Sequence, residues 1–145
     1  MIDKKDFALI VVGVTEKQKE ELEHFGVYSI LHTKNVDELA EWYSIASVFI
    51  NPTYEDTFPT VNIEALACGT PVVTYRTGGS PEIITTHCGI VVEKGNVYQL
   101  HEAITKIEKK PVECRRVAER YDANKKFKEY IRLYEDLVHK EGKFQ

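Results

Sequence analysis

The chain contains no run of apolar residues approaching the roughly 18 that would span a bilayer, so no transmembrane helix is predicted. It also has no excess of basic charge. Nineteen Lys and Arg against 23 Asp and Glu leave a net charge of −4, and without a basic face no nucleic-acid partner is expected. The three cysteines are odd in number and widely spaced. Cys68 and Cys88 lie in apolar contexts and read as small core residues rather than redox or metal groups. The five histidines show no ligand spacing with each other or with the cysteines, so no metal site is expected. No Gly-x-Gly-x-x-Gly follows the first apolar run, which excludes the dinucleotide fingerprint, and no acidic cluster closes it, as a receiver domain would need. The opening Met1-Ile-Asp-Lys-Lys5 lacks the apolar core of a signal peptide, and a cytoplasmic location is the expectation. Internal repeats, low-complexity tracts and interdomain linkers are missing too.

What is present is an ordinary globular composition, 43% hydrophobic and 29% charged over 145 residues, enough for one domain with a substantial core. Strand-like runs alternate with helical patterns. Strands are predicted over 7–12, ended by Gly13, and over 27–31, 48–50, 71–75 and 89–92. Thr15 with Gln18, and Asn35 with Glu38, form capping boxes at two helix starts. Val36, Leu39, Ala40 and Tyr43 share one helical face. Pro81 stands at the start of a short helix, and Asn96 with Gln99 caps another, whose face is Val97, Leu100, Ala103, Ile104 and Ile107. Pro111 opens a further short helix, and the last carries Phe127, Tyr130, Ile131, Tyr134 and Leu137. Residues 140–145 read as a frayed tail. Such alternation predicts an α/β domain with a parallel sheet and helices on both faces.

One stretch carries most of the chemistry. The strand over 48–50 stops at Asn51-Pro52, an acidic loop follows, and Pro59 opens an apolar helix that runs to Cys68 and stops at Gly69. The helix reads as buried against the sheet, yet it holds Glu64, below a loop with Glu55 and Asp56. A carboxylate in an apolar helix is costly unless something pairs with it. A strand, a loop and a helix N-terminus also form a ready phosphate site. Carboxylates for hydroxyls beside amides for phosphate point to a ligand with sugar and phosphate parts.

These residues resemble the donor-binding signature of the retaining, GT-B fold glycosyltransferases of group 1. That signature is a Glu, seven residues, a second Glu, then Ala-x-Ala-x-Gly-x-Pro-Val. Glu64-Ala-Leu-Ala-Cys-Gly-Thr-Pro-Val72 matches its second half without a gap. Eight positions before Glu64 stands Asp56 rather than Glu, with Glu55 one residue further off. Phe58 falls on the family's usual Phe. Thr77-Gly-Gly-Ser-Pro-Glu82 resembles the family's Gly-Gly-x-Pro-Glu turn, and Ala46-Ser-Val-Phe-Ile-Asn-Pro52 the strand entering the site. The likeness runs over about residues 7–134.

The resemblance implies a Rossmann-like sheet, a nucleotide-sugar substrate, no cofactor and no metal. It gives Glu64 the ribose hydroxyls of the donor; a carboxylate can accept from two vicinal hydroxyls. The helix-dipole or capping role remains the plain alternative for Glu64. Asp56 would meet hydroxyls of the transferred sugar, unless Glu55 substitutes or the loop is simply solvated. Asp56 and Glu64 are thus the candidate catalytic residues. Thr57, Phe58, Thr60 and Val61 lie where the family aims backbone amides at sugar and diphosphate. Pro59 has no N–H, so one amide of that cradle is lacking, while those of Thr60 and Val61 remain open in the first turn. Gly78 and Gly79 would let the backbone pass close to the ligand or form a plain turn. Lys34 lies where the family's loop meets the base, or in solvent. Trp42 and Tyr43 read as helix packing.

The family's enzymes pair an acceptor domain with a donor domain, and this chain resembles the second from its second strand onward. Residues 1–139 are therefore expected to be a donor-binding domain without its first strand and helix. The absent acceptor domain or another subunit would be the partner, and any peripheral membrane association would run through that domain. In the order 3-2-1-4-5-6 the absent strand is the central one. The strands over 7–12 and 48–50 are then expected to pair directly, or to hold another chain between them. The function expected is donor binding in sugar transfer to a glycan or lipid-linked acceptor. The alternatives are a non-catalytic nucleotide-sugar binding module or partner subunit, and a nucleotide-sugar epimerase.

Overall fold

The computed structural model describes residues 7–141. Five short strands alternate with helices: β1 (Ile10–Val12), α1 (Glu16–His24), β2 (Tyr28–Ile30), α2 (Val36–Ile45), β3 (Phe49–Asn51), α3 (Thr60–Ala67), β4 (Val72–Tyr75), α4 (Ser80–Ile83), β5 (Gly89–Val92), α5 (Val97–Lys106) and α6 (Pro111–Ala118). A 3-10 turn, Glu119–Tyr121, leads into α7 (Ala123–Glu141). All strand pairings are parallel. The α/β reading stands.

Local chemistry sets most of the helix starts. Thr15 and Gln18 close the capping box on α1, and the Asn96 side chain accepts from the Gln99 amide on α5. At α2 only half of the expected box forms. Asn35 Oδ1 accepts from the Glu38 amide at 2.8 Å, but the Glu38 carboxylate takes the Lys34 amide at 2.7 Å instead of that of Asn35. At the end of α3 Gly69 adopts φ +84°, a conformation other residues rarely reach, which stops the helix where the sequence predicts.

The core lies on both faces of the three-stranded sheet β3-β4-β5, in that order. Adjacent residues of β4 point to opposite faces. Val72 packs with Leu66, Ala65, Ile83, Cys114 and Val117, and so with α3, α4 and α6. Val73 packs with Ala103 and Ile104 of α5 on the other face. The predicted two-sided covering is thus present around β4.

The first strand begins at Ile10 rather than Phe7. Its partner β2 starts only at Tyr28, opposite Ile10, so the ladder has no register for earlier residues. The expected direct pairing of the first and third strands does not occur. β1 and β2 form one sheet, β3, β4 and β5 another, and no ladder joins them. Thr70 Oγ1 donates to the Tyr43 carbonyl at 2.6 Å, and Lys109 Nζ donates to the carbonyls of Ser44 and Ala46 at 2.6 and 2.7 Å. These bonds tie the C-terminal end of α2, which leads into β3, to the loops before β4 and α6.

The helical part of the expected tail differs as well: α7 runs to Glu141, and residues 142–145 lie outside the described residues. The apolar residues predicted along the last helix, Phe127, Tyr130, Ile131, Tyr134 and Leu137, are all exposed. No helix among the described residues is long and apolar enough to cross a membrane.

Candidate functional site

The candidate site gathers at the carboxyl ends of β3, β4 and β5, where open α/β sheets present their loops. Beyond Asn51 the chain makes the loop 52–59 and enters α3. Asn51 Nδ2 donates to Asn62 Oδ1 at 2.9 Å, which clamps the end of β3 to the first turn of α3. Asn62 is fully buried and its own Nδ2 has no partner.

The carbonyls of Asn51 and of the loop accept bonds from β4 and the turn after it. Thr74 Oγ1 donates to the Asn51 carbonyl at 2.9 Å, Thr77 Oγ1 to that of Thr53 at 3.2 Å, and the Gly79 amide to that of Thr57 at 2.8 Å. The acidic loop therefore rests on the turn after β4. A Cβ on Gly78 would overlap the Asp56 carbonyl oxygen, and one on Gly79 would meet the Phe58 ring. Both glycines are close-approach positions, and what they approach is this loop.

Pro59 precedes α3 and is fully buried. No side chain caps the helix. The Thr60 and Val61 amides have no acceptor within the helix, and both residues are exposed. Glu64 lies four residues after Thr60, hence on the same face one turn along, and it is exposed too. Asn62, Ala65 and Leu66 form the buried face. The result is an uncapped, partly positive helix end above a carboxylate on one solvent-facing surface. Glu64 caps nothing; its Oε2 accepts from the Tyr43 hydroxyl at 3.3 Å.

Glu55, Asp56, Thr57 and Gly78 line an open cleft of about 560 Å³ together with Tyr54, Arg76, Thr77 and Lys94. Asp56 Oδ1 accepts from the Phe58 amide at 3.0 Å, which leaves Oδ2 for a ligand. Phe58 tilts against Tyr121 at 5.7 Å between ring centroids. Arg76 Nε pairs with Glu93 Oε1 at 2.9 Å, and Lys94 Nζ stands 5.4 Å from the centroid of the Tyr54 ring, within cation–π range. Charges of both signs thus line the cleft. Thr60, Val61 and Glu64 share the face of α3 and do not line it. Lys34 is exposed, and its amide is taken by Glu38.

Sequence reasoning missed Tyr43, Tyr54, Arg76 and Lys94 at this site. Arg76 follows the end of β4 directly and Lys94 stands two residues beyond β5, but nothing in the local sequence places either beside Glu55 and Asp56. Nothing in the local sequence points from Tyr43 to Glu64. Among the described residues no group of three His, Cys, Asp or Glu side chains is placed to hold a metal ion.

Comparison with known proteins bears on the family and the fold. The family described as "Glycosyl transferases group 1" matches residues 2–135. A D-inositol 3-phosphate glycosyltransferase of Streptomyces bingchenggensis is 49% identical over 61 residues, 41% of this chain and 13% of the relative. A capsular polysaccharide biosynthesis glycosyltransferase of Staphylococcus aureus is 30% identical over 105 residues, 68% of this chain and 28% of the relative. Among solved structures, a sucrose-phosphate synthase from Thermosynechococcus elongatus superposes with a TM-score of 0.70 at 27% identity, over 90% of this chain and 38% of that one. The chain spans well under half the length of each.

Proposed function

This chain belongs to the group 1 glycosyltransferases, and from that premise we propose that it is the donor-binding half of a retaining enzyme that takes a sugar from a nucleotide-sugar. The observation that carries the reading is the exposed face of α3, where an uncapped helix start with the Thr60 and Val61 amides open stands above Glu64. Helix amides and their dipole favour a diphosphate. A carboxylate one turn away has the reach and the acceptor geometry for two vicinal ribose hydroxyls. Asp56, with Oδ2 open on the neighbouring cleft, meets hydroxyls of the transferred sugar, with Glu55 beside it.

In this reading the chain's own groups support the leaving diphosphate as charge develops on it, and no metal or cofactor is needed. The Thr57–Val61 segment supplies amides, and the Thr60 hydroxyl adds a donor. The acceptor is a glycan or a lipid-linked acceptor. Relatives named for D-inositol 3-phosphate and for capsular polysaccharide support a polyhydroxylated acceptor. The protein acts in the cytoplasm, with an acceptor-binding domain or subunit as its partner and no nucleic acid.

Calorimetry tests this directly. UDP, GDP and ADP, and a sugar derivative of whichever binds, are titrated into the wild-type chain and into Glu64→Ala. Loss of charge-assisted bonds to ribose costs about 1.5–3 kcal/mol, roughly 10- to 150-fold in affinity. Equal affinity of the two chains would sink the assignment of Glu64.

A further inference from the structure

Glu64 is exposed on α3, yet its carboxylate is not left to wander. The hydroxyl that reaches it belongs to Tyr43, a residue 21 positions earlier on α2. Among the described residues that hydroxyl is the one donor the Glu64 carboxylate has.

Tyr43 is held from three sides. Its side chain is 9% exposed and lies in the core cluster with Leu66, Val72 and Ala65. Its ring meets Phe49 edge to face, at 5.2 Å between centroids and an interplanar angle of 85°. Its carbonyl accepts from the buried Thr70 hydroxyl at 2.6 Å. Burial first, and then the charge of Glu64, push its phenol titration well above the usual tyrosine value. The hydroxyl therefore keeps its proton at every pH at which the domain works, and it can only donate to the carboxylate. A glutamate on a helix surface loses rotamer freedom when a ligand fixes it, whereas one already held by an immobile donor has lost that freedom beforehand.

We propose that Tyr43 is the positioning residue for Glu64: its hydroxyl holds Oε2 so that the carboxylate is presented to the vicinal hydroxyls of the donor's ribose. This rests on the donor-binding reading above. Tyr43 itself touches no substrate. The core buries its ring, and the one polar atom it extends is committed to Glu64.

The test compares the wild-type chain with Tyr43→Phe, which keeps the ring and its packing, and with Glu64→Gln. Each is titrated with UDP, GDP and ADP and with their 2′,3′-dideoxy counterparts, which lack both vicinal hydroxyls. The wild type is expected to prefer the ribonucleotide of one base, and Glu64→Gln to lose that preference. Tyr43→Phe is expected to weaken the ribonucleotide roughly threefold to tenfold while leaving the 2′,3′-dideoxy form unchanged. Equal weakening of both forms, or of neither, overturns the positioning role while the donor-binding reading survives. A ribose preference that persists in Glu64→Gln, or a wild type that binds none of the nucleotides, overturns the reading and the positioning role together.

Discussion

The α-carbon of Gly78 faces the carbonyl oxygen of Asp56 so closely that no side chain fits between them. Gly78 also has φ +45°, a conformation other residues rarely adopt. Two independent constraints thus meet at one residue, and both serve to seat the acidic loop on the turn after β4. Gly78→Ala is expected to destabilise the domain by more than about 1 kcal/mol, because an incompatible backbone and a steric overlap add. It should also displace Asp56 and weaken donor binding. Denaturant unfolding and calorimetry on the same variant check both effects; unchanged midpoint and affinity would show that the loop moves aside freely.

Asp56 and Glu55 both line the cleft, but their carboxylates are not equivalent. Asp56 is half-buried and oriented by the Phe58 amide, whereas Glu55 is exposed. Asp56→Ala is therefore expected to reduce sugar transfer by the intact enzyme more than Glu55→Ala does. Single-turnover rates measure this, and the reverse order would shift the loop's register by one residue.

Half-buried Asn51 and fully buried Asn62 form an amide pair with one unsatisfied Nδ2, that of Asn62. Replacing one partner leaves the other's amide without a bond, so Asn62→Leu alone is expected to cost about 1–3 kcal/mol. Replacing both with Leu removes the polar groups together, and the double variant should recover much of that loss. A double-mutant cycle from unfolding curves reads the coupling. Additive losses would show that the pair contributes nothing as a pair.

Burial, then the neighbouring Cys88, pushes the Cys114 thiol up to about 11 from an ordinary 9.0. The folded state thus binds this proton more tightly than the unfolded state. Its contribution to stability is complete below about pH 9 and is lost as pH rises through about 11. Cys114→Ala should flatten the fall in unfolding free energy across that window. Thiol alkylation at pH 8 should also modify the half-buried Cys68 before Cys88 or Cys114. Simultaneous labelling of all three would contradict the burial.

The helices were the most legible part. Thr15 with Gln18 and Asn96 with Gln99 act across three residues, so their hydrogen bonds are written locally. The stop at Gly69 and the burial of Ala103 and Ile104 on α5 follow from the same short-range signals, whereas Val97, predicted on the same face, is exposed. Strand lengths were less legible. The run from Phe7 is as apolar as a strand, yet its ladder starts only where β2 offers a partner, at Tyr28. Glu38 shows the limit even for caps. It sits at the capping-box position, but a second amide lay within reach and its carboxylate went to Lys34.

At the candidate site, spacing alone indicated that Thr60, Val61 and Glu64 lie near one helix start, because a helix repeats every 3.6 residues. The separation of β1 from β3 was not readable. Strand pairing joins segments distant in the chain, as do the bonds from Thr70 and Lys109 to the end of α2, across gaps of 27 and 63 to 65 residues. The mixed charge of the cleft was not readable either, since Arg76 and Lys94 join Glu55 and Asp56 only once three loops meet.

The amino-acid sequence by itself determined the alternation of strand and helix, the helix boundaries and the motif around Glu64, because these rest on bonds and periodicities spanning a few residues. The tertiary structure alone decided which strands pair, that Tyr43 meets Glu64, and that the apolar stripe of α7 stays exposed. Those outcomes depend on where distant segments come to lie, and a side chain's reach of a few ångströms becomes effective only after the chain has brought its partner there.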